Sequence, residues 1–492
     1  MSEAVPVPDH VWRTGVAPGI FPFAGHAIAL LRRPLDFLES LPARGDLVEI
    51  RLGPLRALVV CDPQLVHRVL KDPRTYDKGG PLYDRLRGLM GDGLVTCGQG
   101  EHRRQRRLLQ PAFGAARVAG RTRRMGEEAL AVCGAWRPGE RVDVTAAMVA
   151  LTTGVTSRLL FSDSLDARRA AAVRDCLAVV VRGLFVRTVV PVDALFRLPT
   201  PGNRRYRQAV LRLRALVDDL VAERRDGTPR GDLLDTLLAA TRADGDRDAA
   251  YADGHRQAAP LTEREVRDQL VTLLLTGVES TAMCLASVFA LLADHPEAEG
   301  PLHEEVDAVL ADRAVPGPGE LDRLTHTRAV VTETLRLRPP GWLFTRLTTR
   351  ETELAGRPLP RGTTVLYSPY LLHHRDASFP EPERFRPERW LPGAAAVPDG
   401  AMLPFAAGGR KCIGDTFAMT EATVALAVIA RHWRLRAPSG QIGRPRPAAT
   451  LGPRSLILVP EPRTRRPGGR PPAPAVPGAP HTPTAPTTGG DA

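Results

Sequence analysis

Lysine is nearly missing from this chain of 492 residues: Lys71, Lys78 and Lys411 are the only three. The formal net charge of +12 is therefore carried almost wholly by arginine. An excess of that size raises nucleic-acid binding as a function class. No aromatic stripe that could stack on bases accompanies it, and no nucleic-acid motif is present, so that class is set aside. Part of the excess also sits at Arg463, Arg465, Arg466 and Arg470, opposed there only by Glu461 and Asp491. Cysteine is sparse as well. Cys61, Cys97, Cys133, Cys176, Cys284 and Cys412 are scattered, with no C-x-x-C pair and no histidine at zinc-ligand spacing. That pattern excludes a disulfide framework and a zinc site, and most of the six read as small buried hydrophobes. No apolar run near the N-terminus reaches the ~20 residues of a membrane span. Met1–Gly25 holds Pro6, Pro8, Pro18 and Pro22 and lacks a signal-peptide core. The expectation is a cytoplasmic protein without a membrane anchor or a nucleic-acid partner.

What is present is enough apolar residue, 43% of the chain, to build a large core. Helical periodicity runs through Ala27–Leu41, Glu101–Leu109, Thr145–Leu160, Arg168–Leu184 and Arg204–Arg225. The longest such segment is Leu261–Ala293. There Thr262 followed by Glu265 has the spacing of a capping box. A further helix is expected over Gly319–Leu337, stopped by Pro339-Pro340, and another over Ile413–Trp433. Leu47–Leu52 and Leu55–Val60 read as a hairpin around Gly53-Pro54, and Phe344–Thr348, Glu353–Leu354 and Thr364–Leu366 as short strands. Thr241–Pro260 reads as a loop. Pro462–Ala492, made largely of Pro, Gly, Ala and Thr, reads as a disordered tail because it cannot bury enough surface to order itself. The fold class predicted is mainly α with small β-sheets, as a single domain over residues 1–461.

The most specific stretch is Phe405-Ala406-Ala407-Gly408-Gly409-Arg410-Lys411-Cys412-Ile413-Gly414. A cysteine beside two cations, just ahead of a helix, is readily ionised, and a thiolate suits a soft metal centre. The glycines permit close approach of backbone to a flat ring. The run matches F-x-x-G-x-R-x-C-x-G at every fixed position and resembles the haem-binding loop of the cytochrome P450 family. The resemblance implies haem b with Cys412 as its metal ligand, and Phe405 and Arg410 as cofactor-binding residues. Glu333-Thr334-Leu335-Arg336 matches E-x-x-R, whose first and last residues share a helix face. Two P-E-R runs follow, Pro382-Glu383-Arg384-Phe385 and Pro387-Glu388-Arg389-Trp390. By resemblance to the family, Glu333, Arg336 and Arg384 form a buried structural triad behind the loop.

Leu273–Thr281 resembles the family's oxygen-binding helix, with Thr276 and Ser280 as departures from its usual residues. Gly277 suggests room for dioxygen, and Glu279, Ser280 and Thr281 supply acid and alcohol groups for proton delivery. His102 and Arg106 fit an H-x-x-x-R helix and, with Arg346, are expected on the haem propionates. Arg103, Arg104, Arg107 and Lys411 are expected to form a positive face for an electron donor. Leu274, Val278, Trp342, Leu343 and Phe344 are the expected substrate pocket, which suits an apolar small molecule. The family implies a monooxygenase that uses O2 and electrons originating from NAD(P)H. No flavin or ferredoxin module follows Cys412, so a ferredoxin or flavodoxin with a separate reductase is the expected partner of a monomer. Arg350–Arg375 and Asp415–Arg434 look similar to actinobacterial terpene oxygenases of the family, which points to a terpenoid substrate. A peroxide-driven hydroxylase or haem-thiolate isomerase is the first alternative, opposed by the Glu279-Ser280 pair. A haem gas sensor or carrier is the second, opposed by the lack of any signalling module.

Overall fold

The computed structural model describes residues 11–162, 165–189, 193–241, 260–438, 442–445 and 447–463. Most of the expected loop over 241–260, and 464–492 of the expected tail, lie outside the described residues. The boundary set at residue 461 is two residues early. Pro462 still belongs to the last strand, and the Arg463 guanidinium meets Asp307 at 2.7 Å.

The strands are β1 (Thr14–Val16), β2 (Leu47–Leu52), β3 (Leu55–Val60), β4 (Tyr76–Asp77), β5 (Val142–Asp143), β6 (Phe344–Thr348), β7 (Thr352–Leu354), β8 (Arg357–Leu359), β9 (Thr364–Tyr367), β10 (Trp433–Arg436) and β11 (Ile457–Pro462). One six-stranded sheet runs β1-β2-β3-β9-β6-β4, and β10-β11-β5 and β7-β8 form two smaller ones. The predicted hairpin is present, with Leu52 opposite Leu55 across a turn in which Gly53 takes φ +62°. In the large sheet β6 pairs antiparallel with β9 on one side and β4 on the other. That pairing sets Arg346 of β6 near Asp77 of β4 and Lys78, which follows it.

Helices dominate. Six matter for the site: α1 (Gln99–Leu109), α2 (Thr122–Gly134), α3 (Val144–Phe161), α4 (Glu263–Asp294), α5 (Thr325–Leu337) and α6 (Asp415–His432). α4 is the central core helix, and α3 packs along it. It begins as expected. Thr262 Oγ1 accepts from the Glu265 N–H while the Glu265 carboxylate accepts from the Thr262 N–H. α3 and α4 are long and apolar enough to cross a membrane, but 67% and 78% of their apolar windows are buried inside the fold. They read as core helices.

Two predicted helices are broken. Ala27–Leu41 divides into Ala27–Arg32 and Pro34–Glu39, because Pro34 cannot supply the N–H that would continue the first helix. Gly319–Leu337 divides into Pro318–Leu321 and α5. At the start of α5 the Glu305 carboxylate accepts from the His326 and Thr327 N–H groups at 2.7 and 2.8 Å, so a distant side chain satisfies donors that a helix start leaves open.

Candidate active site

Cys412 stands between a 3-10 turn, Gly408–Arg410, and the start of α6. Gly408 takes φ +68°, and a Cβ there would lie 2.3 Å from the Leu70 carbonyl oxygen. Only glycine lets the loop pass so close to the distant helix Pro63–Lys71, which carries Leu70. The Cys412 N–H donates to the Phe405 carbonyl at 3.0 Å, closing the loop on itself. Burial pushes the Cys412 thiol pKa up, against the lowering influence of the Gly414 N–H, Lys78 and Arg106. Cys412 is the one free cysteine with exposed surface, while the other five are buried. A deep, desolvated thiol that still keeps open surface faces an internal space.

Basic groups converge on the same space. Burial, with Arg346 and Arg410 nearby, drives the Lys78 ammonium down to about 7. His102 falls to about 2 through burial and the charges of Arg410, Lys78 and Arg106. Among the described residues, the buried Arg346 guanidinium touches the Tyr83 and Tyr367 hydroxyls and the Thr345 carbonyl and no carboxylate. Arg106 donates to Gln110 and to the Lys411 carbonyl. Desolvated cations without counter-charges are costly unless an anion joins them. Together with the open thiol, this donor set fits haem: a thiolate for the iron and a cluster of cations for two propionates.

Arg410 departs from its expected part. It is buried, and its fork is taken by Asp77, the Cys97 carbonyl at 2.9 Å and Gln99 at 3.1 Å. It therefore ties the cysteine loop to the start of α1. Lys78, which sequence reasoning overlooked, faces the anion site in its place. Its only signal was rarity, as one of three lysines. Arg104 also moves: it is 2% exposed and paired with Glu101 and Glu265, so it cannot belong to a positive face. Arg103 and Arg107 are exposed, while Lys411 pairs with Asp415 at 2.6 Å.

Behind the loop, Glu333 and Arg336 are fully buried and pair at 2.9 Å. Glu333 also accepts from Arg389 Nε at 3.1 Å, Trp390 Nε1 at 2.8 Å and the Arg386 N–H at 3.0 Å. Arg336 donates onward to the carbonyls of His373, Pro382 and Arg384. The third member of the triad is thus Arg389, not Arg384. The Arg384 side chain is 65% exposed and pairs with Glu381, so only its carbonyl takes part. The second P-E-R run was the informative one, and Trp390 beside it was a further signal. His373 had none. The Leu403 N–H donates to its Nε2 at 2.8 Å, which assigns the proton to Nδ1, 3.2 Å from the Arg336 carbonyl. His373 thereby links the ion-pair network to the chain entering the cysteine loop.

On α4 the fourfold periodicity separates two stripes. Leu274, Val278, Thr281 and Leu285 are buried on one side. Thr276, Glu279 and Ser280 are half-buried on the other, midway along a core helix. Leu274 and Val278 are 0% exposed and so belong to the core, not to a pocket wall. Gly277 needs a new explanation: a Cβ there would meet Thr156 of α3 at 3.2–3.3 Å, so its gap admits the neighbouring helix rather than dioxygen. Ser280 Oγ donates to the Thr276 carbonyl at 2.7 Å. Glu279 accepts from Thr450 at 2.9 Å, and burial raises its pKa. At the entry to β6, Trp342 is locked into a core cluster by a bond to the Ala448 carbonyl at 3.0 Å, whereas Leu343 and Phe344 stay half-buried.

The cytochrome P450 family model matches residues 17–463. The chain is 47% identical to cyclooctat-9-en-7-ol 5-monooxygenase of Streptomyces melanosporofaciens, over 88% of this chain and 92% of that one. It is 46% identical to cyclooctatin synthase of the same organism, over 92% and 96%. Against pentalenene oxygenase of Streptomyces avermitilis the identity is 42%, over 92% and 98%. Among solved structures, the haem domain of cytochrome P450DA superposes with a TM-score of 0.79 at 26% identity, covering 92% of this chain and 99% of that domain.

Proposed function

Since this chain belongs to the cytochrome P450 family and is a haem-dependent monooxygenase, we propose that it oxidises a cyclic terpenoid, with Cys412 as the thiolate that ligates the iron. When bound, haem supplies the dioxygen and one-electron chemistry, with electrons originating from NAD(P)H. The polypeptide does the rest. Lys78, His102, Arg106 and Arg346 would hold the propionates, and Arg410 with Asp77 fixes the loop that presents Cys412. The network of Glu333, Arg336 and Arg389 keeps that loop in register through His373. Leu343 and Phe344 present apolar surface to substrate. Glu279, whose pKa burial raises, is the acid, and the Ser280 hydroxyl passes its proton toward the reacting centre. The protein works as a monomer, receiving electrons from an acidic ferredoxin or flavodoxin that docks near the exposed Arg103 and Arg107.

One observation carries the substrate class: three relatives at 42–47% identity, aligned over 88–92% of this chain, are named for cyclooctat-9-en-7-ol, cyclooctatin and pentalenene. A spin-state titration with cyclic terpenes, macrolides and fatty acids tests it. The expected result is a high-spin shift with cyclic terpenes alone, followed by a singly oxygenated product when ferredoxin, reductase and NAD(P)H are added. A shift confined to macrolides or fatty acids would overturn the terpenoid assignment.

A further inference from the structure

Glu279 is half-buried on the open stripe of α4, and among the described residues burial and one hydrogen bond are what act on its carboxyl. Among the described residues its side-chain hydrogen-bond partner is the Thr450 hydroxyl, 2.9 Å from Oε1 and 171 residues further along the chain. The segment carrying Thr450 is held on both sides. The Leu451 N–H donates to the Pro340 carbonyl at 2.9 Å, and Trp342 Nε1 donates to the Ala448 carbonyl at 3.0 Å. Gly452 packs so closely on Met283 of α4 that a Cβ there would fall 2.9 Å from its side chain. The segment is thus wedged between α4 and the residues that lead to Leu343 and Phe344.

A carboxylic acid can donate from only one of its oxygens. An oxygen already accepting a strong hydrogen bond is the poorer place for the proton. We propose that Thr450 is the positioning residue of the proton-delivering acid: its hydroxyl occupies Glu279 Oε1, so that Oε2 carries the proton and is the oxygen that delivers it. This inference rests on the reading of Glu279 as the delivering acid. The balance is simple. Oε2–H breaks as the proton passes to the Ser280 hydroxyl or to a water, and the carboxylate recovers a proton from solvent, with no change in oxidation state.

The test compares Thr450→Val, which keeps shape without the hydroxyl, with Thr450→Ser, which keeps the hydroxyl, and with Glu279→Gln. All are measured as haem-loaded protein. The first readout is the infrared carbonyl stretch of the protonated Glu279 carboxyl, identified by its loss in Glu279→Gln. The second is product formed per NAD(P)H consumed. In Thr450→Val the carbonyl stretch is expected at higher wavenumber, and coupling is expected to fall roughly three- to tenfold, the range of one lost hydrogen bond. Thr450→Ser should restore both. If Glu279→Gln remains fully coupled, the acid reading itself fails. If Glu279→Gln uncouples while Thr450→Val leaves the stretch and the coupling unchanged, Thr450 is not the positioning residue. If Thr450→Ser behaves like Thr450→Val, the effect belongs to packing and the inference is overturned.

Discussion

The cysteine loop and the open stripe of α4 belong to one site, but they are specified in different ways. The loop is over-determined. Its path is fixed by Gly408 against Leu70, by a backbone bond from Cys412 to Phe405, and by Arg410 bound to three partners on Asp77, Cys97 and Gln99. The stripe at Thr276, Glu279 and Ser280 rests on single contacts: one hydroxyl to a backbone carbonyl for each alcohol, and one hydroxyl on the acid. The contrast follows from what each half must do. Holding a ligand asks for rigidity, whereas moving a proton needs groups whose hydrogen bonds can be exchanged.

The sharpest way to break this comparison is at the thiolate. Cys412→Ser is expected to abolish the red-shifted Soret band of the reduced, CO-bound protein completely. Survival of that band would remove Cys412 as the ligand. Alanine at Glu279 or Ser280 should leave the band intact and lower product formed per electron pair, so the two halves separate by spectrum and by coupling.

The next effect tests the network behind the loop. Glu333 is fully buried and Arg389 is 10% exposed, so Arg389→Ala leaves a buried carboxylate short of a partner. A loss of roughly 3–5 kcal/mol in denaturant unfolding is expected, together with poorer haem retention. Arg384→Ala should fall within about 0.5 kcal/mol of the parent protein, because its side chain is exposed and pairs only with Glu381. Equal effects of the two substitutions would undo the correction from Arg384 to Arg389.

That correction shows where the sequence was legible. Local signals carried well: the capping box at Thr262, the hairpin at Gly53 and the ten-residue loop all depend on neighbours in sequence, and each is present in the fold. Contacts across the chain did not carry. Two P-E-R runs lie five residues apart, and nothing local says which arginine faces Glu333 from more than fifty residues away. His373 and Thr450 were invisible for the same reason, since their roles exist only when separate segments meet. Gly277 was misread because a helix glycine signals a close approach but not the side from which it comes.

A pH titration sharpens the same network more gently. His373 is neutral in the fold, its pKa driven down to about 3 by burial and then by the neighbouring His374. Unfolded, it titrates near ~6.5. Between those values the unfolded chain binds the extra proton, so this contribution to stability is intact above pH ~6.5 and is lost as pH falls toward 3. The slope from such a histidine is up to about 1.4 kcal/mol per pH unit. Urea unfolding at about pH 7, 6 and 5 should show that fall, and His373→Gln should flatten it by about one proton. An unchanged slope in the variant would mean that folding does not shift the titration of His373.

The smallest effect expected is at Gly277→Ala, and its smallness is the point. Alanine gains on the order of 0.8–1 kcal/mol of helix propensity over glycine. Against that gain, the new Cβ would sit 3.2 Å from Thr156 Oγ1 and 3.3 Å from its Cγ2, close enough to require a small shift of one side chain on α3. The two effects nearly cancel, so stability should stay within about 0.5 kcal/mol of the parent protein. The Cβ also points at the Thr156 side chain of α3. Substrate-induced spin shift, CO binding and coupling should therefore be unaltered. Had the glycine made room for dioxygen, an added methyl would obstruct the distal side while leaving Cys412 untouched, and CO binding would weaken with the thiolate Soret band still in place. Measuring CO affinity in Gly277→Ala separates the two readings. An unchanged affinity places the gap between α3 and α4.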